Sequence, residues 1–312
     1  MIFLMLFAGL ALLLISGEFL VRGSVALAVH FRLSKLVIAL TVVSFGTSAP
    51  ELVVSLDAAL SGHPDISIGN VVGSNISNIG IVLALTIIIA PFFVNSRSVL
   101  RNWIIMMSLT LLLIIMLYDL ELSRTEGIIL LALLLSFIFF TIKRPEKKME
   151  QADDPPAPVR IRLPAAILVV ILSCLGLVAG ADLLVKGASG IARMMDLSER
   201  IISVSVIALG TSLPELATSV VAAVRKENDI SIGNILGSNI FNILAIPGIT
   251  ATIIPFSLND AGFSFDLLWM AGISLFLFIL ILPLRGTILS RWKGLLLAVL
   301  YITYIYIIFF IK

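Results

Sequence analysis

Cysteine and histidine are nearly absent from this chain of 312 residues. The single cysteine, Cys174, sits in an apolar run, so no disulfide framework can form and the redox compartment is left open. The two histidines, His30 and His63, fall at expected helix ends, so a buried His-and-acid hydrolytic centre is excluded. Charged residues make up only 13% and hydrophobic residues 60%, with a mean hydropathy of +1.16. Soluble domains carry about 25% charged residues, so a soluble globular protein is excluded. The net charge of +2 is too small and too scattered to suggest a nucleic-acid partner. What the chain has is long apolar runs. At about 20 residues per membrane-spanning helix, its length allows roughly ten spans and no large soluble domain.

Turn and charge breaks predict helices at 2–29, 35–61, 66–93, 102–118, 126–142, 163–192, 199–224, 230–255, 264–284 and 292–311. The only stretch of soluble character is Lys143 to Arg162, where charge and four prolines forbid a buried helix. It separates a first five-helix unit, residues 1–142, from a second, residues 163–312. Loops after helices 1, 3, 5, 7 and 9 hold 15 of the 21 Lys and Arg. The opposite side holds four, Arg124, Arg193, Arg200 and Lys312, and the last two, Arg22 and Lys186, lie inside spans. The positive-inside rule then places the linker in the cytoplasm and both termini outside, with Trp103 and Trp292 beside the cytoplasmic charges.

Carrying Gly46 onto Gly210 aligns the chain with itself. GTSAPEL (Gly46 to Leu52) meets GTSLPEL (Gly210 to Leu216), and DISIGNVVGSNISN (Asp65 to Asn78) meets DISIGNILGSNIFN (Asp229 to Asn242), identical at 11 of 14 positions. The same register pairs Glu18 with Asp182 and Arg22 with Lys186. The internal copy cannot be a signal peptide, so the N-terminal run reads as a first span. Five is odd, so the second unit starts on the opposite side of the membrane. The expected architecture is an all-α membrane protein of ten transmembrane helices in two inverted five-helix repeats, which suits alternating access to a midplane site.

Thr47, Ser48, Pro50 and Glu51 fall near the middle of the second span. Pro50 lacks an N–H and collides with the carbonyl of Gly46, so the helix must break or kink there. Thr47 and Ser48 lie four and three residues from Glu51, so two hydroxyls and a carboxylate converge on one face. An ionisable residue at that depth costs roughly 2.5 kcal/mol or more and is functional by default. Thr211, Ser212, Pro214 and Glu215 repeat the arrangement. In the third span, Gly69, Gly73 and Ser77 form a packing stripe, whereas Asn70, Ser74 and Asn78 form a polar one. Ser74 and Asn78 can offer neutral oxygens opposite Glu51, and Ser238 and Asn242 opposite Glu215. Asn70, Asn75, Asn234 and Asn239 fit either that role or plain interhelical hydrogen bonding. Hydroxyl, carbonyl and carboxylate oxygens suit Ca²⁺ and Na⁺ rather than thiophilic metals.

The paired GTSxPE and GNxxGSNxxN blocks resemble the alpha repeats of the calcium/cation antiporter superfamily, specifically its prokaryotic sodium/calcium exchanger branch. The resemblance implies a secondary antiporter, not an enzyme, that exchanges Na⁺ for Ca²⁺ and needs no cofactor, with more than two Na⁺ replacing each Ca²⁺. Carried over by motif position, the ion ligands would be Thr47, Ser48, Glu51, Ser74, Asn78, Thr211, Ser212, Glu215, Ser238 and Asn242, completed by backbone carbonyls just before Gly46 and Gly210. Asn242 stands where some relatives, including the potassium-dependent branch, carry Asp. Phe241 replaces the small residue seen at Ser77, so the halves pack unequally. The short linker, Lys143 to Arg162, cannot hold a calcium-sensing domain, which points to a bacterial or archaeal cell membrane.

Among the remaining charges, Glu18 with Arg22 and Asp182 with Lys186 have i, i+4 spacing, suited to structural anchoring or to moving the first and sixth helices. Asp65 and Asp229 are expected as N-caps, and Asp57 as an entrance charge at most. Three other functions compete. Proton/calcium exchangers usually carry an added glutamate in the GNxx segment, where this chain continues with Gly73 and Gly237. A passive cation channel fits poorly with two mutually exclusive openings. An intramembrane hydrolase lacks a buried base.

Overall fold

The computed structural model describes residues 2–143, 161–194, 208–258, 263–282 and 286–310. Most of the linker, the predicted start of the seventh span at 199–207, and Lys312 lie outside the described residues. Among the described residues, eight helices are long and apolar enough to cross a membrane. They are α1 (Ile2–Phe31), α4 (Pro64–Ile89), α5 (Ser96–Met116), α6 (Arg124–Lys143), α7 (Leu163–Met194), α9 (Asn228–Ile253), α10 (Phe263–Leu280) and α11 (Arg291–Phe310). A pair, α2 (Lys35–Thr47) and α3 (Ala49–Leu60), is bent by 45° and counts as a ninth when its two helices are taken as one broken span. The shorter α8 (Leu213–Val224) is the repeat equivalent of α3, as α9 is of α4.

The break falls where the proline chemistry requires it. Ser48 leaves the helical region at φ −84°, ψ 7°, and α3 restarts with Pro50 in its first turn, where a missing N–H costs nothing. Ser212 repeats this at φ −85°, ψ 4°, ahead of Pro214 in α8. Two widened, i→i+5 turns flank the site region, at Ala39–Val43 and at Asn78–Leu83. Such turns recur at functional positions because they release backbone groups from the regular ladder.

Four short strands show how the halves are related. β1 (Phe92–Val94) follows α4 and pairs antiparallel with β4 (Thr287–Leu289), which precedes α11. β3 (Phe256–Ser257) follows α9 and pairs with β2 (Glu121–Leu122), which precedes α6. The long helix α5 separates β1 from β2, so the two pairs lie at opposite ends of the bundle. β1 and β3 occupy equivalent places in the two repeats, yet sit at opposite ends. The repeats are therefore inverted.

Close crossings obey the same symmetry. A Cβ on Gly127 of α6 would lie 2.7 Å from Thr252 N, and one on Gly294 of α11 would lie 2.7 Å from Ala84 O, so α6 grips α9 as α11 grips α4. Small residues at such crossings let backbones approach in lipid. α1 and α7 pack antiparallel, with Gly9 against Gly180 and Leu184. Glu18 pairs with Arg22 as expected and also with Arg225, just past α8, while Asp182 pairs with Lys186 at 2.7 Å. The added bridge to Arg225 favours anchoring for Glu18. Lys35 meets Glu227 at 2.6 Å.

Several expectations need correction. α4 ends at Ile89 and not 93, because Phe92–Val94 pairs as a strand, and α5 begins at Ser96 and not 102, since Asn95 caps it by accepting from Arg97 N at 3.2 Å. Asp65 and Asp229 are not N-caps: His63 and Glu227 occupy those positions, and the two aspartates lie in the first turns, where their charge meets the positive helix end. Asp57 is exposed while Glu51 on the same helix is buried.

Candidate cation site

Each half holds its glutamate with the same brace. Asn70 Nδ2 donates to Glu51 O at 3.2 Å and to Ser55 Oγ at 2.9 Å. Asn234 Nδ2 donates to Glu215 O at 3.4 Å and to Ser219 Oγ at 3.1 Å. Both asparagines thus tie the proline break of one helix to the next helix by hydrogen bonding. Glu51 and Glu215 stand in the first turns of α3 and α8, where the helix N-terminus favours negative charge.

The predicted residues meet across the seam between halves. Ser48 Oγ donates to Glu215 Oε1 at 2.9 Å, and Ser238 Oγ reaches the same oxygen at 3.3 Å. Thr47 Oγ1 lies 3.1 Å from Asn234 Oδ1 and 3.3 Å from Ser238 Oγ. Asn242 Nδ2 donates to Ser74 Oγ at 2.9 Å, and Asn78 Nδ2 to Asn239 Oδ1 at 3.1 Å. Glu51 is fully buried. Thr211 is half-buried at the second break, and Ser212 sits 2.9 Å from Ser77.

Sequence reasoning gives Ser77 a packing role alone and misses its contact with Ser212. The mismatch with Phe241 is the available signal: Phe241 turns to Phe45 instead, ring centroids 5.8 Å apart, and the two halves do pack unequally. Ser44, which donates to Ala39 O at 2.7 Å and lies 3.1 Å from Asn234 O, carries no motif of its own and is missed as well.

Five oxygens in this cluster are buried with no hydrogen-bond partner among the described residues: both of Glu51, Oε2 of Glu215, Oδ1 of Asn78 and Oδ1 of Asn242. Burying a carboxylate without compensation is among the costliest arrangements in a protein, more so at membrane depth. All five are acceptors, so a donor side chain or a cation would complete them, and hard oxygens in this number match Ca²⁺ or Na⁺. A candidate cation site between inverted repeats is the arrangement of secondary transporters whose access alternates.

The chain belongs to the sodium/calcium exchanger family: the profile described as "Sodium/calcium exchanger protein" matches residues 1–143 and 165–310. It is 35% identical over 310 residues to the putative antiporter CaxA of Alkalimonas amylolytica, covering 96% of both chains. It is 29% identical to the sodium/calcium exchanger MaX1 of Methanosarcina acetivorans, covering 99% of both. Its fold superposes on the sodium-calcium exchanger NCX_Mj, from crystals soaked with Na⁺ and Ca²⁺, at a TM-score of 0.82 and 32% identity over 96% of both chains. The protein is a multi-pass membrane transporter of Na⁺ and Ca²⁺.

Proposed function

We propose that the chain exchanges Na⁺ for Ca²⁺ by alternating access, electrogenically, with Thr47, Ser48, Glu51, Ser74, Asn78, Thr211, Ser212, Glu215, Ser238 and Asn242 supplying the oxygens that hold the ions. The observation that carries this reading is that five oxygens of these ligand candidates are buried with no partner among the described residues at the seam between the inverted halves. A dehydrated Ca²⁺ takes about six to eight oxygens, and the two carboxylates match its double charge. Na⁺ seeks the same oxygens, so the ions exclude one another, and mutual exclusion at one site that opens to alternate sides is exchange. In this reading residues 1–142 and 163–312 are the two five-helix repeats that enclose the site, Lys143 to Arg162 lies in the cytoplasm, and both termini face outward from a bacterial or archaeal cell membrane. No bond-making chemistry and no resident cofactor is involved. The absence of a carboxylate at Gly73 and Gly237 weighs against proton/calcium exchange.

Radioactive Ca²⁺ uptake into proteoliposomes tests the reading. An outward-directed Na⁺ gradient should drive uptake and its removal should stop it. Uptake that follows a proton gradient and ignores Na⁺ would replace this reading with proton/calcium exchange, and uptake indifferent to both would indicate a passive channel.

A further inference from the structure

An amide is nearly symmetric in shape but not in charge. Its Oδ1 attracts a cation and its Nδ2 repels one, and a half-turn of the side chain exchanges them. Asn78 and Asn242 can therefore serve a cation only if something fixes which end faces it.

A chain of obligatory hydrogen bonds does so. It begins at the backbone carbonyl of Asn75 in α4, which can only accept. Asn239 Nδ2 donates to that carbonyl at 3.5 Å and lies 3.6 Å from Met106 Sδ of α5, a second acceptor. With its nitrogen committed to two acceptors, Asn239 turns Oδ1 toward Asn78. Asn78 answers with Nδ2 at 3.1 Å, leaving its own Oδ1 buried and unpartnered. Inverting Asn239 would set its oxygen against the Asn75 carbonyl and its NH₂ against that of Asn78, so the polarity propagates from the carbonyl outward. A parallel chain starts one turn earlier: Ser74 donates to Val71 O at 3.1 Å, accepts Nδ2 of Asn242 at 2.9 Å, and leaves Oδ1 of Asn242 unpartnered. Both chains start in α4. Their repeat equivalents do other things, since Asn75 donates to Val71 O at 2.7 Å and Ser238 faces Glu215.

We infer that Asn239 is a positioning residue for ion exchange: without touching the ion, it holds Asn78 in the one amide orientation that presents oxygen to the cation. The inference rests on Asn78 being an ion ligand. Removing groups that orient metal ligands typically costs about 10- to 100-fold in affinity.

The test is a double-mutant cycle read as Na⁺-driven Ca²⁺ uptake by purified protein in proteoliposomes. Asn239→Leu should raise the Ca²⁺ KM about tenfold while leaving the maximal rate within about twofold of wild type, the split expected for lost ion binding. In the Asn78→Asp background the ligand has two equivalent oxygens and nothing to orient, so adding Asn239→Leu should leave KM unchanged relative to Asn78→Asp alone. An equal penalty in both backgrounds would overturn the inference, because it would mean that Asn239 acts through packing. Asn239→Leu with wild-type KM would overturn it too. If Asn239→Leu is not recovered as folded protein, Asn239→Ala removes the same acceptor without added bulk and carries the cycle. Asn78→Ala separates the two readings: an unchanged KM there removes Asn78 from the site, whereas a raised KM beside a silent Asn239→Leu overturns the positioning role alone.

Discussion

Ser48, at the break in the first half, donates a 2.9 Å hydrogen bond to Oε1 of Glu215, at the equivalent break in the second. The halves are thus joined through one carboxylate oxygen, while Oε2 of the same group is buried without a partner among the described residues. Glu51 has no such support for either oxygen. The inverted repeat therefore closes on an unequal pair of acids.

Both acids are expected to be indispensable. Glu51→Gln or Glu215→Gln removes one of two charges that offset a divalent ion in low dielectric, and Na⁺-driven Ca²⁺ uptake should fall to background. Ser48→Ala should be milder, because it removes one neutral oxygen while both carboxylates remain to offset the ion's charge. Asp57→Asn and His63→Gln, at exposed positions, should leave uptake near wild type. Wild-type flux in normally inserted Glu51→Gln protein would remove that residue from the site.

The symmetric crossings predict symmetric sensitivity. A Cβ on Gly127 would stand 2.7 Å from Thr252 N and 3.0 Å from Gly248 O, and one on Gly294 would stand 2.7 Å from Ala84 O. Backbone atoms cannot swing aside, so Gly127→Ala and Gly294→Ala should each lower stability by about 1–3 kcal/mol, the usual cost of overpacking. Gly272→Ala meets nothing within 4 Å among the described residues and should be neutral or slightly stabilising. Thermal unfolding in detergent separates the three. A drop for Gly272→Ala equal to the others would mean that helix crossing is not the cause.

Much of this is legible in the sequence because membrane proteins expose their exceptions. A glutamate beside a proline in an apolar run is costly twice over, and its recurrence in the second half, Glu51 with Pro50 and then Glu215 with Pro214, points to the candidate site and the repeat together, while the odd number of spans in each unit points to the inversion. Other features are illegible because their cause is tertiary. Nothing local distinguishes Asn239, which relays polarity, from Asn234, which braces a proline break; the carbonyls they face belong to other elements. Ser77 reads as a small packing residue because its partner, Ser212, comes from the other half. Periodicity misplaces the start of α5 because Ser96, Arg97, Ser98 and Arg101 interrupt the apolar run, and the Asn95 cap leaves no periodic trace.

Topology is open to a direct measurement. The 15 to 4 distribution of Lys and Arg predicts a cytoplasmic Lys143 to Arg162 linker and both termini outside. In intact cells an impermeant thiol reagent should label a cysteine placed near Lys312 and spare one placed at Gln151. Cys174, the native cysteine, is replaced by serine in both variants to remove background. Equal labelling of the two sites, or the reverse pattern, would contradict the assignment.

Charge at the site decides how voltage acts. With Glu51 and Glu215 as its carboxylates, the site carries about two negative charges, which one Ca²⁺ balances, and Asn78 and Asn242 add oxygens without charge. If more than two Na⁺ replace each Ca²⁺, as the family resemblance implies, the Na⁺-loaded protein carries net positive charge and each turnover moves charge across the membrane. One such charge is worth roughly 2.3 kcal/mol per 100 mV, enough to shift the direction of exchange. Asn242 also lacks the acid that the potassium-dependent relatives carry at this place, so K⁺ should not be needed. Ca²⁺ uptake should therefore respond to a membrane potential set with valinomycin and K⁺, and should persist when choline replaces K⁺. Flux indifferent to voltage would refute the charge argument. Flux that vanishes without K⁺ would refute the reading of Asn242, and Asn242→Asp would then be expected to alter the K⁺ requirement no further.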